Sequence, residues 1–163
     1  MEHDNSTSGK RIFKQVEHLL IKKGYKPDSK LLSSLIHSLP LNVFAKDREG
    51  RFIFANDFYC RSIGKTYKEV IGKNDFEIHP GDLAEKYRED DKRIMNIGQA
   101  ELIEEPWQSL GGEYGNIQVI KSPLFDNHRQ VIGVVGIFWD ISDQKKTEIN
   151  IIKNAFYLEE RYS

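Results

Sequence analysis

Thiols are almost absent from this sequence: Cys60 is its single cysteine. An internal disulfide is therefore impossible, and with it the stapled scaffolds of small secreted domains. A cationic excess is missing too, since 24 lysines and arginines face 25 aspartates and glutamates. A surface that neutralises phosphates needs such an excess, so no nucleic-acid partner is expected. No apolar run reaches the ~18 residues of a bilayer span. The opening MEHDNSTSGK has no apolar centre of the kind a signal peptide needs. A cytoplasmic location without membrane contact by this segment is the expectation. Glycine-rich phosphate loops and nucleophile–base arrangements are also lacking, and GGEYG reads as a hairpin turn. Glu104 and Glu105 are adjacent, but neighbours on a strand face opposite sides and cannot act on one group. His37 and His128 have no metal-ligand spacing. The chain is not expected to be an enzyme; any catalysis belongs to a domain beyond this segment.

What is present suits one domain with extensions: 163 residues, 39% of them hydrophobic. Residues 1–10 read as a disordered tail and 11–40 as flanking helices. Ile12, Phe13, Val16, Leu19 and Leu20 form one helical face, closed by Lys22, Lys23 and Gly24. Leu31, Leu32, Leu35, Ile36 and Leu39 form another, closed by Pro40. Such faces pack within the chain or, for the first helix, against a partner's helix. Residues 41–142 make the folded domain. NVFAK and RFIFA are short strands joined by a turn at Asp47–Gly50. Asn56 and Asp57 begin a short helix through Ile63, and Thr66 with Glu69 has the spacing of a capping box. Asp75–Pro80 reads as irregular and Asp82–Ile97 as a longer helix. Strands at 99–107, 116–125 and 130–141 follow, with Pro123 suited to an edge or a strand end. Five antiparallel strands with helices on one face make an α+β domain.

This order of elements, with the segments LLSSLIHSLP, NVFAKDREGRFIFAN, VIGKNDFEIHPGDLAEKYREDDKRIM, IQVIKSPLFDNHRQVIGVVGI and DIS, closely resembles the PAS family of sensory domains. The resemblance runs from Leu31 to Ser142. It implies a PAS-like five-stranded sheet with short helices, a cavity between them, and a flanking helix that carries a change outward. The parent implied is a longer signalling protein, a sensor kinase or a cyclic-nucleotide signalling protein, and LEERYS resembles the start of a second such domain.

By that resemblance Phe44, Phe54, Tyr87, Val119 and Phe138 line the cavity, where aromatics also serve simply as core. Lys121 shares a strand face with Val119. It either pairs there with a carboxylate or phosphate of a small ligand, or snorkels out at the strand end, the plainer reading. Flavin-binding relatives use a cysteine in an Asn-Cys-Arg-Phe motif and a glutamine on the last strand. Here Cys60 lies in FYCRS and Phe138 takes the glutamine position, so a flavin is not expected. Haem-binding relatives place a histidine where His79 stands, with a tryptophan where this chain has Phe138. Trp139 is one position late and faces the other way. Haem gas sensing thus rests on His79 alone and is the lesser expectation.

Output is the better-founded role. Asp140 can hold the corner between the last strand and the helix of residues 143–163 by bonds to nearby backbone. Along that helix Ile151, Ala155, Leu158 and Tyr162, with Ile152 and Phe156 alongside, make a stripe suited to a parallel coil between two protomers. A helix folded back on its own sheet is the alternative. The expected function is a homodimeric sensory module that binds a small ligand and relays the change through this helix. The alternative is a ligand-free dimerisation or spacing domain.

Overall fold

The computed structural model describes residues 29–162, with side chains as far as Lys153. The tail and the helical face at Ile12–Leu20 lie outside the described residues. Helix α1, Ser29–Ser38, belongs to one unit, and a second compact unit begins at Leu39. Leu32 and Leu35 are exposed on α1.

In the second unit the chain runs β1 (Asn42–Asp47), β2 (Phe52–Ala55), α2 (Asp57–Ser62), α3 (Tyr67–Val70), α4 (Asp75–Ile78) and α5 (Gly81–Ile97), then β3 (Glu101–Gln108), β4 (Tyr114–Phe125), β5 (Val131–Asp140) and α6 (Ser142–Tyr162). The five strands form one sheet in the order β2-β1-β5-β4-β3, and all neighbours are antiparallel. The last strand thus lies between the first and the fourth, at the centre. Helices α2 to α5 pack over one face, and the core fills the space between.

Local chemistry accounts for these boundaries. Gly50, at φ 86°, takes the left-handed position of the β1–β2 turn. Asn56 starts α2 by accepting a hydrogen bond from the Tyr59 amide at 3.0 Å. The segment Asp75–Pro80, expected to be irregular, contains the one-turn helix α4. Asn74 accepts from the Glu77 amide at 3.2 Å and Glu77 accepts from the Asn74 amide at 3.0 Å, a reciprocal cap that holds a single turn. On α5, Leu83, Ala84, Tyr87, Asp91 and Ile94 make the buried stripe. Pro123 occupies β4 beyond Lys121, the last residue that β3 pairs, so its missing N–H costs no ladder bond on that side.

The passage from β5 to α6 is pinned. The Ile141 amide donates to the Asn116 carbonyl at 2.9 Å, and the Ser142 amide donates to Asp140 Oδ1 at 2.7 Å. Lys145 of α6 pairs with Glu104 of β3 at 2.8 Å. Ile151 and Ile152 are exposed; the rest of the apolar stripe lies beyond the described side chains. Among the described residues, no helix is long and apolar enough to cross a membrane.

Candidate functional site

Between the sheet and helices α2, α4 and α5 lies a small cavity of about 30 Å³. Its walls divide into an aromatic part and a charged part. Strand alternation supplies the first: Phe44 of β1 and Phe138 of β5 point inward, their rings 6.3 Å apart. Tyr59 of α2 stands 5.9 Å from Phe138 and 5.7 Å from Phe52, and Trp107 of β3 stands 6.0 Å from Phe138. Gly136 leaves room for this arrangement, because a Cβ there would enter the ring of Phe44.

The charged wall holds five buried ionisable side chains; from the sequence only Lys121 was expected in the cavity, and Glu105 was weighed with Glu104 as an acid–base pair and set aside. Lys46 donates to Asp75 Oδ1 and Oδ2 at 2.8 and 2.6 Å and to Asp91 Oδ2 at 2.8 Å. Those three bonds exhaust an ammonium's donors. Its Nζ also lies 5.0 and 4.9 Å from the ring centres of Phe44 and Phe52. Lys121 is paired less well. Its Nζ lies 3.1 Å from Asp91 Oδ1 and 2.8 Å from Glu105 Oε1, yet neither approach has the alignment of a hydrogen bond. It is 1% exposed, so the snorkelling reading is corrected. Its strand is flanked by β3 and β5, opposite Glu101 and Gly136, and has no open edge at this point.

Burial and charge set the protonation of this wall. Burial raises Asp75, with Lys46 offsetting it only in part, and raises Glu105, with Lys121 offsetting it in part. Asp91 is desolvated as well, but Lys46 and Lys121 together outweigh burial and hold its carboxyl below the usual range. Burial works against the charged form of Lys121, and Asp91 and Glu105 more than restore it. His79 completes the site. Burial, with Lys46 and Lys65 adding to it, lowers its imidazole to about 4, so the ring is neutral. It lies 3.3 Å from the Tyr59 hydroxyl and stacks edge-on against Tyr87, 5.3 Å between centres. Tyr87 donates to the Pro106 carbonyl at 2.8 Å.

Phe44, His79, Tyr87, Val119, Lys121 and Phe138 thus all face the cavity. Phe54 does not. Ala55 pairs with Phe44 on the inner side, so Phe54, opposite Ala45, belongs to the outer face. A register shift between Ala45 and Lys46 then sets Phe52 against Lys46, and Phe52 takes the place expected of Phe54. Trp139 is likewise outside the cavity lining. Cys60 is buried in the core cluster. Asp140 stands apart from the cavity, at the corner into α6, where a cleft shares Trp107 as a wall with the cavity. Lys46, Asp75 and Asp91 were missed and Glu105 was set aside, although Lys46 has the strand parity of Phe44 and Glu105 that of Trp107.

A chemical division of labour follows from this geometry. Lys46 is saturated and fastens α4 and α5 to β1. Lys121 has donor capacity to spare and faces the cavity. A molecule of metabolite size enters only by displacing side chains, since such ligands occupy pockets of roughly 300 Å³ or more.

Comparisons with known proteins agree with this architecture. The family model described as the PAS fold matches residues 36–146. The uncharacterised protein y4lL of Sinorhizobium fredii is 32% identical over 89 residues, covering 55% of this chain and 11% of that protein. The methanogenesis regulatory histidine kinase FilI of Methanothrix harundinacea is 26% identical over 111 residues, 68% of this chain and 12% of that protein. The chain therefore spans about a tenth of the length of these curated relatives. Among solved structures, a complex of Vibrio cholerae VqmA with ligand and DNA superposes with a TM-score of 0.65 at 24% identity, covering 71% of this chain and 53% of that one. A structure of the VqmA dimer gives 0.64 at 23% identity, covering 72% and 53%. With the sheet order, the helices over one face and the matched span in agreement, the chain belongs to the PAS fold family.

Proposed function

We propose that this PAS domain is a sensory module of a signal-transduction protein, that it takes a small polar ligand at Lys121, and that it passes the change to α6. The observation that carries this reading is the Lys121 ammonium, 1% exposed, facing a cavity and lacking an aligned hydrogen bond. A buried donor left in that state is costly, and a ligand acceptor removes the cost. The route outward is short. Phe138 is a wall of the cavity and lies two residues before Asp140, while Trp107 touches both the cavity and the cleft beneath α6. The domain itself performs no catalysis in this reading. It works in the cytoplasm as a homodimer paired through α6, with the output in another domain of the parent chain. The kinase FilI supports the signalling context, and VqmA, described both with a ligand and as a dimer, supports the ligand and the pairing.

Native mass spectrometry of the purified domain tests both parts. The expected result is a dimer carrying a small extra mass in the wild type and not in Lys121→Met. A wild type that is bare, and whose thermal midpoint no metabolite panel shifts, removes the ligand. A monomer at micromolar concentration removes the pairing through α6. One observation favours a second reading, a dimerisation and spacing domain without ligand: the cavity's own aromatics leave only about 30 Å³.

A further inference from the structure

The inner face of the β3–β4 hairpin does not end with the cavity. Along β4, Lys121, Val119, Ile117 and Gly115 follow one another at every second residue; β3 pairs Glu105 with Ile117 and Trp107 with Gly115. The first three residues of this row line the cavity, and Gly115 lines the cleft at the start of α6. Cavity and cleft are therefore successive stretches of one sheet face. Tyr59, Asp75 and Tyr87 of the helices close the first, while Ser142, Asp143 and Gln144 of α6 border the second. Trp107 is the side chain common to both linings.

The two spaces differ sharply in size. The cavity measures about 30 Å³ and the cleft about 390 Å³, whereas small-molecule pockets run from roughly 300 to 1,000 Å³. Trp107 is half-buried, its ring 6.0 Å from that of Phe138. No hydrogen bond to a described residue holds the indole. Gly115 makes room beside it, because a Cβ there would meet Ser142 Oγ and lie 3.4 Å from the indole nitrogen. The Ser142 hydroxyl, which accepts from the Asn116 amide at 3.0 Å, thus rests next to the indole. A swing of Trp107 reaches the first residue of α6 directly.

The geometry points to cavity and cleft as two halves of one pocket, divided by Trp107 as a gate, whose ligand is a flat, uncharged ring compound bearing a hydrogen-bond acceptor. Swinging the indole into the cleft opens the cavity. A flat ring that follows takes over the contact with Phe138, so aromatic packing is remade and not lost. From there the Lys121 ammonium is close. It lies 2.8 Å from Glu105 Oε1, and Glu105 precedes Trp107 by one inward-facing step of about 7 Å. Charge narrows the ligand further. Lys46 and Lys121 already face Asp75, Asp91 and Glu105, and in the cleft Lys146 stands among Glu113, Asp140 and Asp143. Neither half has a cation to spare for an anionic ligand. A cationic one would lose its water beside two buried ammonium groups. The acceptor's place at Lys121 rests on the proposed function; the joined pocket does not.

Benzamide and benzoate, alike in shape and different in charge, serve as probes, with methyl NMR of the purified protein as the readout. At millimolar concentration benzamide is expected to give intermolecular NOEs to Val119 in the cavity and to Ile141 in the cleft, and to shift the Trp107 indole N–H. Benzoate should give none to Val119. Trp107→Ala should quicken benzamide entry by roughly 2–10-fold, the factor that an aromatic contact like that with Phe138 represents. Benzamide NOEs confined to Ile141, or absent altogether, overturn the joined pocket. Benzoate NOEs at Val119 as strong as benzamide's overturn the ligand class, and equal entry rates in the two proteins overturn the gate. The wild-type titration decides the matter even if the variant fails to fold. Lys121→Met separates this inference from the proposed function: Val119 NOEs that survive with unchanged affinity keep the joined pocket and remove the contact at Lys121.

Discussion

Replacing Asp91 by asparagine keeps the shape of the side chain and removes the charge that lies between two buried ammonium groups. Asp91 is 0% exposed and sits 2.8 Å from Lys46 and 3.1 Å from Lys121. Removing one partner of such a buried set costs about 3–5 kcal/mol, because the others stay desolvated. That is a large share of the ~5–15 kcal/mol that holds a domain together. With a urea slope of ~2 kcal/mol/M, the unfolding midpoint should fall by about 2 M. Glu104→Gln, which removes the exposed pair with Lys145, should leave the midpoint where it is. The pH dependence supplies a second check. A carboxyl held below its unfolded value stabilises the fold above that value and loses the contribution as pH falls through the folded one. The deficit of Asp91→Asn should therefore be complete above about pH 4 and shrink below it. A midpoint for Asp91→Asn that matches Glu104→Gln at neutral pH would refute the reasoning, since the cluster would then hold nothing together.

Two further outcomes follow from the same packing. His79 is neutral when folded, with its imidazole lowered to about 4, whereas an unfolded histidine takes up its proton near ~6.5. Stability should thus decline as pH falls from about 6.5 to about 4, by up to ~3 kcal/mol. His79→Gln should remove that slope in pH-dependent urea unfolding, and an unchanged slope would mean that the folded ring takes up its proton as readily as the unfolded one. At Gly133 a Cβ would collide with the backbone carbonyl of Lys46, which cannot swing aside as a side chain can. Gly133→Ala should destabilise by about 1–3 kcal/mol in thermal unfolding and disturb the amide resonances of β1; a midpoint equal to the wild type's would count against the strand pairing.

The fold was legible because its signals are local. Alternation in NVFAK and IQVIKSPLF gives strand faces, and Asn56, or Thr66 with Glu69, marks where helices begin. The same kind of signal existed for α4 in Asn74 and Glu77, but a helix of one turn leaves no apolar periodicity to support it. The site was only half legible. Parity puts Val119 and Lys121 on one strand face, and the PAS resemblance turned that face, with Phe44 and Phe138, toward the cavity; Phe54 was misplaced because a register shift of one residue cannot be read from a strand by itself. The fate of Lys121 depended on Asp91, thirty positions earlier, and on Glu105 of the neighbouring strand. Lys46 and Asp75 are 29 positions apart. Each of these charges looks like an ordinary surface residue until α4 and α5 settle on the sheet.

The strand order also bears on how copies of this domain can meet. An open sheet normally invites another chain to add itself along an unpaired edge. Here one edge, β2, is only four residues long. The other, β3, carries Glu101, Glu104 and Pro106, and a proline offers no amide to a newcomer. Crowding such domains together should therefore not widen the sheet. Association is left to faces and helices, whose geometry can change without tearing a ladder of backbone bonds.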